Sequence, residues 1–290
     1  MSAPAGGSRR WGEAGGRWGT APRAKLGGVL ILAVLSVLWT FGNGADVSPA
    51  KGVGLSGDDS GSKVERREPP ATFSIVARDG ETGELGVAVQ SRVFSVGNGV
   101  MWGEAGAGVV ATQAWVDVSY GPGGLELLGD GLSAPEVVDH LLDEDPDPYP
   151  DEWPKSGRQL AVVDAQGRVG AWTGPDADEW AGHAISEGVS VQGNILAGPE
   201  VVEEMLRAFQ ETDGHLSFRM LAALEAGQAA GGDARGKQSA AMLVVGEDRG
   251  VWLNNDVVLR LQVDDSDRPI AELRRLVERA AEQREGASGS

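Results

Sequence analysis

Strand-like and helix-like segments come in blocks along this chain, and that order limits the folds it can adopt. Two apolar stretches, 72–79 and 84–91, flank the turn sequence GETG and predict a β-hairpin. The sequence RQLAVVDAQGRVGAWTG, at 158–174, predicts a second hairpin. Because strands and helices do not alternate regularly, we predict an α+β fold rather than a doubly wound parallel sheet. Further strands are predicted at 108–116, 189–196, 239–245 and 257–263. Helices are predicted around 125–128, from 133 onward, and at 198–209, 216–224 and 269–281.

The first seventy residues differ from the rest in charge and composition. They hold nine Lys/Arg and six Asp/Glu, a net charge of +3, whereas residues 71–290 carry a net charge of −21. This division indicates one folded domain behind a basic, flexible leader. We predict a basic cytoplasmic segment at 1–25, a signal-peptide core or signal anchor at 26–42, a disordered linker at 43–71, a folded domain at 72–283 and a disordered tail at 284–290.

The apolar run LGGVLILAVLSVLWTFG, residues 26–42, has no charged residue in 17 positions. It is longer than the usual core of a signal peptide and slightly short for a full membrane span, so a cleaved signal peptide and a retained transmembrane helix both remain open. The basic residues before it are expected to stay in the cytoplasm, which sends the rest of the chain outward. We therefore predict an exported protein, either secreted or held at a membrane by this helix.

Composition excludes several classes of site and partner. The chain has no cysteine, so disulfides, thiolate metal sites and cysteine nucleophiles are excluded. Its three histidines, His140, His183 and His215, are too few for a multi-histidine metal site to be expected. The acidic segment 145–152 lacks the spacing of an EF-hand loop, so no metal is predicted. A strongly acidic domain repels phosphate backbones, and nucleic acid is therefore not expected as a partner.

Five stretches of the sequence resemble the family known as domain of unknown function 1028, and together they cover nearly all of residues 72–280. They are TFSIVARDGETGELGVAVQSR, GVVATQAWVDVSYGPGGLELL, RQLAVVDAQGRVGAWTG, VQGNILAGPEVV and ALEAGQAAGGDARGKQSAAMLVV. The last stretch is the most specific, because its order of polar residues and glycines is not generic turn chemistry. That order is Gln228, Gly231, Gly232, Asp233, Arg235, Gly236, Gln238 and Ser239.

The resemblance implies a fold and a chemistry, because this family is placed among the Ntn hydrolases, amidohydrolases that use their own first residue as nucleophile. It implies a four-layer αββα sandwich, an amide-cleaving activity that needs no cofactor, and assembly into a homo-oligomer as in many relatives. The sequence also differs from the family pattern. Here 71 residues precede Thr72, Asp117 stands where similar sequences often have Asn, and Ser266 stands where His is expected.

Thr72 matches the position at which members of the family begin. An N-terminal threonine carries both a hydroxyl and an α-amine with a reference pKa of about 8. The neutral amine can accept the hydroxyl proton, directly or through one water, and so activate the oxygen. This chemistry requires cleavage between Ala71 and Thr72, since an internal threonine has no free amine. The alternative interpretation is that Thr72 is only the first β-branched residue of a strand.

Polar residues at predicted strand ends are candidates for substrate binding and for stabilising an oxyanion. Gly193 and Asn194 end one strand, where backbone amides and the Asn194 side chain could face a developing negative charge. A glycine-containing bulge is the alternative. Ser91 and Arg92 end the first hairpin, and Arg92 could bind a carboxylate or lower the pKa of the Thr72 amine. The alternative for Arg92 is a surface ion pair.

A glutamine and a glycine-rich loop complete the predicted site. Gln113 lies in an otherwise apolar strand, so it is predicted to be either a buried hydrogen-bond hub or a donor in the site. The loop that contains Asp233 and Arg235 is predicted to wall the site, with Gln238 and Ser239 pointing into it.

The sequence EWAGH, with Trp180 and His183, is a second candidate wall, although a single histidine is more often structural than catalytic. We predict an exported or membrane-tethered amidohydrolase or peptidase-like enzyme of the Ntn type, which cleaves a small amide or peptide-like bond with Thr72. The alternative is a non-catalytic ligand-binding or assembly module of the same fold that never exposes Thr72.

Overall fold

The computed structural model describes residues 71–288, which form ten strands and six helices. Two apolar stretches around the turn at 80–83 form the predicted first hairpin, and the second hairpin is formed as predicted. The strands are β1 Thr72–Arg78, β2 Leu85–Ser91, β3 Met101–Glu104, β4 Gly108–Ala114, β5 Arg158–Asp164, β6 Val169–Thr173, β7 Gly182–Ser186, β8 Val189–Asn194, β9 Ser239–Val245 and β10 Val257–Val263. The helices are α1 Gly97–Val100, α2 Tyr120–Gly129, α3 Ala134–Glu144, α4 Glu200–Glu211, α5 Leu216–Ala229 and α6 Pro269–Ser288.

The strands form two sheets in which every pairing is antiparallel. The first sheet has the order β10-β9-β2-β1-β8-β7, and the second has the order β3-β4-β5-β6. Helices are segregated from the strands rather than inserted between parallel neighbours. The predicted α+β class is therefore confirmed.

Successive side chains of β1 point to opposite faces of its sheet. One face packs on helices, and the other packs on the second sheet. Phe73 and Ile75 pack with α4 and α5 in one apolar cluster, whereas Val76 belongs to a second cluster that includes strands of both sheets. A third cluster joins the other face of the second sheet to α2 and α3, through residues such as Val110 and Val137. The two sheets thus face each other, and each carries helices on its outer face.

The space between the sheets is apolar at one end and polar at the other. The polar end is costly to bury, because each amide or hydroxyl there must find a partner away from water. It contains the start of β1, so the fold concentrates buried polar groups around Thr72. Fully buried apolar residues at the first end include Val76, Val87, Val109, Val163 and Leu243. Polar residues at the other end, at most 1% exposed, include Thr72, Ser74, Gln113, Gln159 and Gln192.

The predictions for the N-terminal part of the chain have different outcomes. The prediction of a transmembrane helix and of membrane association is corrected, because no helix within residues 71–288 is long and apolar enough to cross a membrane. The predicted segments 1–25 and 26–42 lie outside the described residues, as does the linker up to residue 70, so export stays a prediction.

Both ends of the predicted domain extend further than expected. Ala71 is fully buried rather than part of a disordered linker, because its carbonyl is hydrogen-bonded beside the start of β1. The predicted disordered tail begins at 284, but α6 continues to Ser288. Its last turns are rich in Ala, Glu, Gln and Arg, which favour helix.

Candidate functional site

Thr72 begins β1 in the middle of the six-stranded sheet, and it is fully buried. The antiparallel register pairs it with Ser91 on β2 and with Asn194 on β8. Three residues that were predicted for one site, each from a different strand, therefore lie in one row across the sheet.

The peptide bond between Ala71 and Thr72 is held by two donors. The Ser91 hydroxyl donates to the Ala71 carbonyl oxygen and accepts a hydrogen bond from Thr72 Oγ1 at 3.2 Å. Arg235 Nη2 donates to the same carbonyl oxygen at 3.3 Å. Donors that converge on one carbonyl polarise it and stabilise negative charge on its oxygen. The Thr72 hydroxyl thus shares Ser91 with a carbonyl oxygen that receives two hydrogen bonds.

Asp233 fixes the arginine that reaches this carbonyl. Asp233 is 3% exposed, and its carboxylate accepts hydrogen bonds from the backbone N–H of Arg235 at 2.8 Å and of Arg92 at 3.0 Å. The Arg235 guanidinium also contacts this carboxylate, with Nη2 3.3 Å from Oδ2. Arg92 Nη1 donates to the Arg235 carbonyl at 2.7 Å, so Arg92 braces the loop from an exposed position.

Gln238 and Ser239 do not occupy the place predicted for them. Within residues 71–288, Gln238 Nε2 donates to Asp265 at 3.0 Å, and the Ser239 hydroxyl donates to the Val93 carbonyl at 2.6 Å. Ser239 pairs with Ser91 across the sheet. This register puts one strand between Ser239 and Thr72. Ser239 therefore supports the segment after β2, and Gln238 contacts the segment after β10, instead of lining the site.

Gln113 is the predicted hub, and it joins the two sheets. Its Nε2 donates to the Thr72 carbonyl at 3.3 Å and to Gln159 Oε1 at 2.7 Å, while its Oε1 accepts from Ser74 Oγ at 2.6 Å. Gln192 Nε2 donates to the same Ser74 hydroxyl at 2.7 Å. The backbone of Thr72 is therefore anchored from the facing sheet.

Gln159 was not identified from the sequence. It lies in the largely apolar strand β5, the same signal that singled out Gln113. Gln159 Nε2 donates to the carbonyls of Gly182 at 3.1 Å and Gly193 at 3.0 Å. This residue joins three strands around the candidate site.

Gly193 serves packing rather than ligand approach. A Cβ at this position would lie 2.5 Å from Leu196 Cδ1, so the Leu196 side chain occupies the space expected for a ligand. The β1–β8 register is continuous from Ala77 to Thr72, which excludes the alternative of a bulge at Gly193. Asn194 remains in the row with Thr72 and is fully buried.

A recess of about 900 Å³ opens beside the end of β8. Its walls include Thr173, Trp180, His183 and Leu196. Thr173 Oγ1 lies 2.8 Å from His183 Nδ1 and accepts a hydrogen bond from Gln159 Nε2 at 2.9 Å. Desolvation by burial lowers the pKa of His183 below its usual value, so the neutral imidazole is favoured. The second candidate wall is therefore linked to the polar end of the inter-sheet space.

Two acidic residues near α2 and α3, Asp117 and Asp145, contact the buried Arg158. Arg158, 2% exposed, is paired with Asp145 and lies 3.7 Å from Asp117. Tyr120 donates to Asp145, and burial raises the pKa of Tyr120 to about 12. In the part of the chain that the structure describes, no group of three or more His, Cys, Asp or Glu side chains is arranged to hold a metal ion.

Comparison with known proteins places the sequence and the fold in one family. The model of the family described as "Family of unknown function (DUF1028)" matches residues 72–273. A crystal structure of a protein from Silicibacter pomeroyi with the same family assignment is 33% identical in sequence. The match covers 72% of this chain and 86% of that one, with a TM-score of 0.64. No curated protein matches the chain.

Proposed function

The chain belongs to the DUF1028 family, and from its own geometry we propose that it is an amidohydrolase of the Ntn type whose nucleophile is Thr72. The substrate is a small amide or a peptide-like bond. The observation that carries this proposal is the Ala71–Thr72 peptide, whose carbonyl receives hydrogen bonds from Ser91 and Arg235 beside the Thr72 hydroxyl.

The layer order of the fold supports the same superfamily. Helices, the six-stranded sheet, the four-stranded sheet and further helices follow one another, which is the order of the αββα sandwich. Thr72 begins a central strand of the first sheet, where an N-terminal nucleophile would open onto the space between the sheets.

We propose that the chain first cuts itself. Thr72 Oγ1 attacks the Ala71 carbonyl carbon, the C–N bond breaks, and the hydroxyl proton moves by way of Ser91 to the departing nitrogen. Ala71 is then joined to Thr72 through an ester, which water hydrolyses to release a carboxylate and a free α-amine at Thr72. Ser91 and Arg235 stabilise the negative charge that develops on the Ala71 oxygen.

Burial favours cleavage by the protein itself over cleavage by a separate protease. Ala71 and Thr72 are both fully buried in the intact chain, so another enzyme cannot enclose this bond without unfolding the start of β1. The nucleophile, by contrast, is already adjacent to the bond that must break.

The same groups serve hydrolysis after cleavage. The Thr72 α-amine then acts as the base for its own hydroxyl. A substrate carbonyl takes the place of the Ala71 carbonyl, so Ser91 and Arg235 again stabilise an oxyanion, and Asn194 lies in the same row. Gln113 holds the Thr72 carbonyl and thereby fixes the orientation of the nucleophile.

The alternative is a non-catalytic binding or assembly module, which an uncut and permanently buried Thr72 would support. An epoxyketone probe separates the two, because it forms a stable ring only with a threonine that offers both a hydroxyl and a free α-amine. We expect the mature protein to be labelled at Thr72 and to release p-nitroaniline from one or more small acyl anilides. Thr72→Ala should do neither.

Labelling that is equal in wild type and in Thr72→Ala would show that the probe reacts elsewhere. An unlabelled wild-type protein that still cleaves the anilides would assign the activity to another nucleophile. Thr112→Ala is a matched control, because Thr112 is a buried strand residue whose hydroxyl contacts the Asp117 carbonyl and not the Ala71–Thr72 bond.

A further inference from the structure

The buried glutamine network reaches His183 through the Thr173 hydroxyl. Gln159 turns its Nε2 towards the carbonyls of Gly182 and Gly193, which accept hydrogen bonds only from N–H groups. Gln159 Oε1 in turn accepts from Gln113. The orientation of the Gln159 amide is therefore fixed from both sides.

This orientation bears on the next hydrogen bond. Thr173 Oγ1 lies 2.9 Å from the same Nε2, whose two hydrogens are shared among three acceptors, and an amide nitrogen cannot accept a hydrogen in return. The Thr173 hydroxyl can therefore donate to His183 Nδ1, 2.8 Å away, and in that arrangement Nδ1 is the unprotonated nitrogen. A neutral His183 then carries its proton on Nε2, as a donor at the wall of the recess.

The rest of the wall is flat, apolar or acidic. A Cβ on Gly182 would lie 2.4 Å from Trp180 Cη2, so the indole lies directly against the backbone of β7. Leu196 and Ala197 supply further apolar surface. Of the described residues that line the recess, Glu179 is acidic and none is Lys or Arg, so no cation is available to pair with an anionic ligand.

One wall of the recess is close in sequence to the row that contains Thr72. Leu196 follows Asn194 by two residues, and Asn194 is the cross-strand partner of Thr72. Leu196 also forms a β-bridge with Asp233, which holds the arginine that reaches the Ala71 carbonyl. A molecule in the recess would therefore contact Leu196, a residue bridged to the loop that positions Arg235.

We propose that this recess binds the substrate and selects an uncharged planar amide over a carboxylate, with His183 Nε2–H donating to the amide oxygen and Trp180 against the planar group. The proposal deepens the function proposed above and rests on it. It assigns the substrate as an amide without a negative charge on the part that enters the recess. His183 and Trp180 are thus specificity residues, and Thr173 and Gln159 are positioning residues.

Benzamide and benzoate test this selection, because they share one ring and differ in the amide and the carboxylate. The full-length Thr72→Ala protein allows binding to be measured without turnover. In a histidine-labelled sample, NMR resolves three imidazoles, which His183→Gln and His140→Gln assign. We expect benzamide to shift the His183 signals saturably. Benzoate should bind at least about tenfold more weakly, because no positively charged side chain of the recess can pair with its carboxylate.

Two variants separate a specific role of His183 from a structural one. His183→Gln should raise the Kd of benzamide about fivefold to tenfold, which corresponds to the loss of about one hydrogen bond. The exposed control His140→Gln should leave the Kd unchanged. Thr173→Val keeps the shape of Thr173 but removes its hydroxyl, so the ¹⁵N shifts of His183 should move towards a mixture of tautomers. Such a change would not accompany a role in packing alone.

The proposal is overturned if benzoate binds as tightly as benzamide, if neither compound shifts His183, or if His183 is protonated on Nδ1 in the neutral protein. These outcomes are distinct from failure of the catalytic proposal. An intact Ala71–Thr72 bond with selective benzamide binding would leave the recess as a binding site of a non-catalytic module. A chain that is cut at Thr72 but does not bind benzamide would support the nucleophile and contradict the role of the recess in substrate binding.

Discussion

Ser91 shows how much a single hydroxyl can depend on strand register. The sequence drew attention to this position mainly through the charge of the adjacent Arg92. In the structure, Ser91 is opposite Thr72 and contacts both the Thr72 hydroxyl and the Ala71 carbonyl. A shift of one residue in the pairing of β1 with β2 would turn Ser91 to the other face of the sheet. Sequence alone does not specify that register.

Replacing Ser91 with Ala should slow cleavage of the Ala71–Thr72 bond by about 10²-fold, because it removes a donor to the oxyanion and a proton relay together. The rate is measured by intact-mass spectrometry at intervals after synthesis. Ser119→Ala, at an exposed loop position, should cut at the wild-type rate. If Ser91→Ala cuts as fast as this control, Ser91 has no part in the chemistry.

The buried glutamines show a different limit of sequence reasoning. Gln113 was recognisable as a polar residue in an apolar strand, and Gln159 carries the same signal in β5. Which amide would meet which carbonyl depends on how the two sheets face each other, and that is not encoded in the spacing along one strand.

Gln159→Met should lower the free energy of unfolding by about 1–3 kcal/mol, because it leaves the Gln113 amide and the carbonyls of Gly182 and Gly193 without this partner in a buried place. Chemical denaturation with matched m-values measures the change. The exposed Gln166→Met is the control. A loss no larger than in the control would show that water or local rearrangement satisfies these groups.

At the scale of elements, the strongly patterned segments were predictable and the short ones were not. The two hairpins and the amphipathic α4 follow from runs of apolar residues at the right period. β3 and β7 have four and five residues and lack such a run, so no periodic signal marked them. The omission of β7 mattered, since it carries His183 and one wall of the recess.

The first hairpin depends on the carboxylate of Asp79 at its turn. Asp79 accepts hydrogen bonds from the N–H groups of Glu81 and Thr82 and from the Thr82 hydroxyl, and it pairs with Arg219 on α5. Burial alone would raise the pKa of Asp79, but these hydrogen bonds and the arginine charge hold that pKa below its usual value. The carboxylate is thus more stable in the folded protein than in the unfolded chain.

Asp79→Ala should cost about 1–3 kcal/mol of unfolding free energy at neutral pH. Because the pKa of Asp79 is lower in the folded protein, its carboxylate adds its full contribution to the free energy of unfolding above the pKa of the unfolded chain, about 4. That contribution is lost as the pH falls through the lower pKa of the folded state. Denaturation at several pH values measures this, with the exposed Asp139→Asn as control. An advantage that grows on acidification would contradict the assigned ionisation.

At the scale of the molecule, net charge and buried polar groups are both unevenly distributed. The segment 71–290 has 37 acidic residues and 16 Lys/Arg, so a net charge of −21 remains even if every basic residue is paired. The space between the sheets keeps its polar half around Thr72. Apolar residues there would be simpler to bury, and this supports a site at that end.

The large net negative charge predicts that the Tm rises with salt, whereas isolated surface ion pairs alone would predict the opposite. Raising NaCl from about 0.01 M to about 0.15 M shortens the screening length from about 30 Å to about 8 Å and weakens the mutual repulsion of the carboxylates. The Tm should therefore rise with salt in a calorimetric scan at neutral pH. A Tm that falls would mean that the surface ion pairs outweigh the repulsion.

The central claim is that Thr72 becomes an N-terminal nucleophile, and the state of one peptide bond tests it most directly. Mass spectrometry and N-terminal sequencing of the mature wild-type protein should find a chain that begins at Thr72. Full-length Thr72→Ala, made in the same host, should keep the peptide bond between positions 71 and 72 intact. A wild-type protein that keeps the Ala71–Thr72 bond and still hydrolyses an amide would contradict the claim and leave Thr72 as a strand residue.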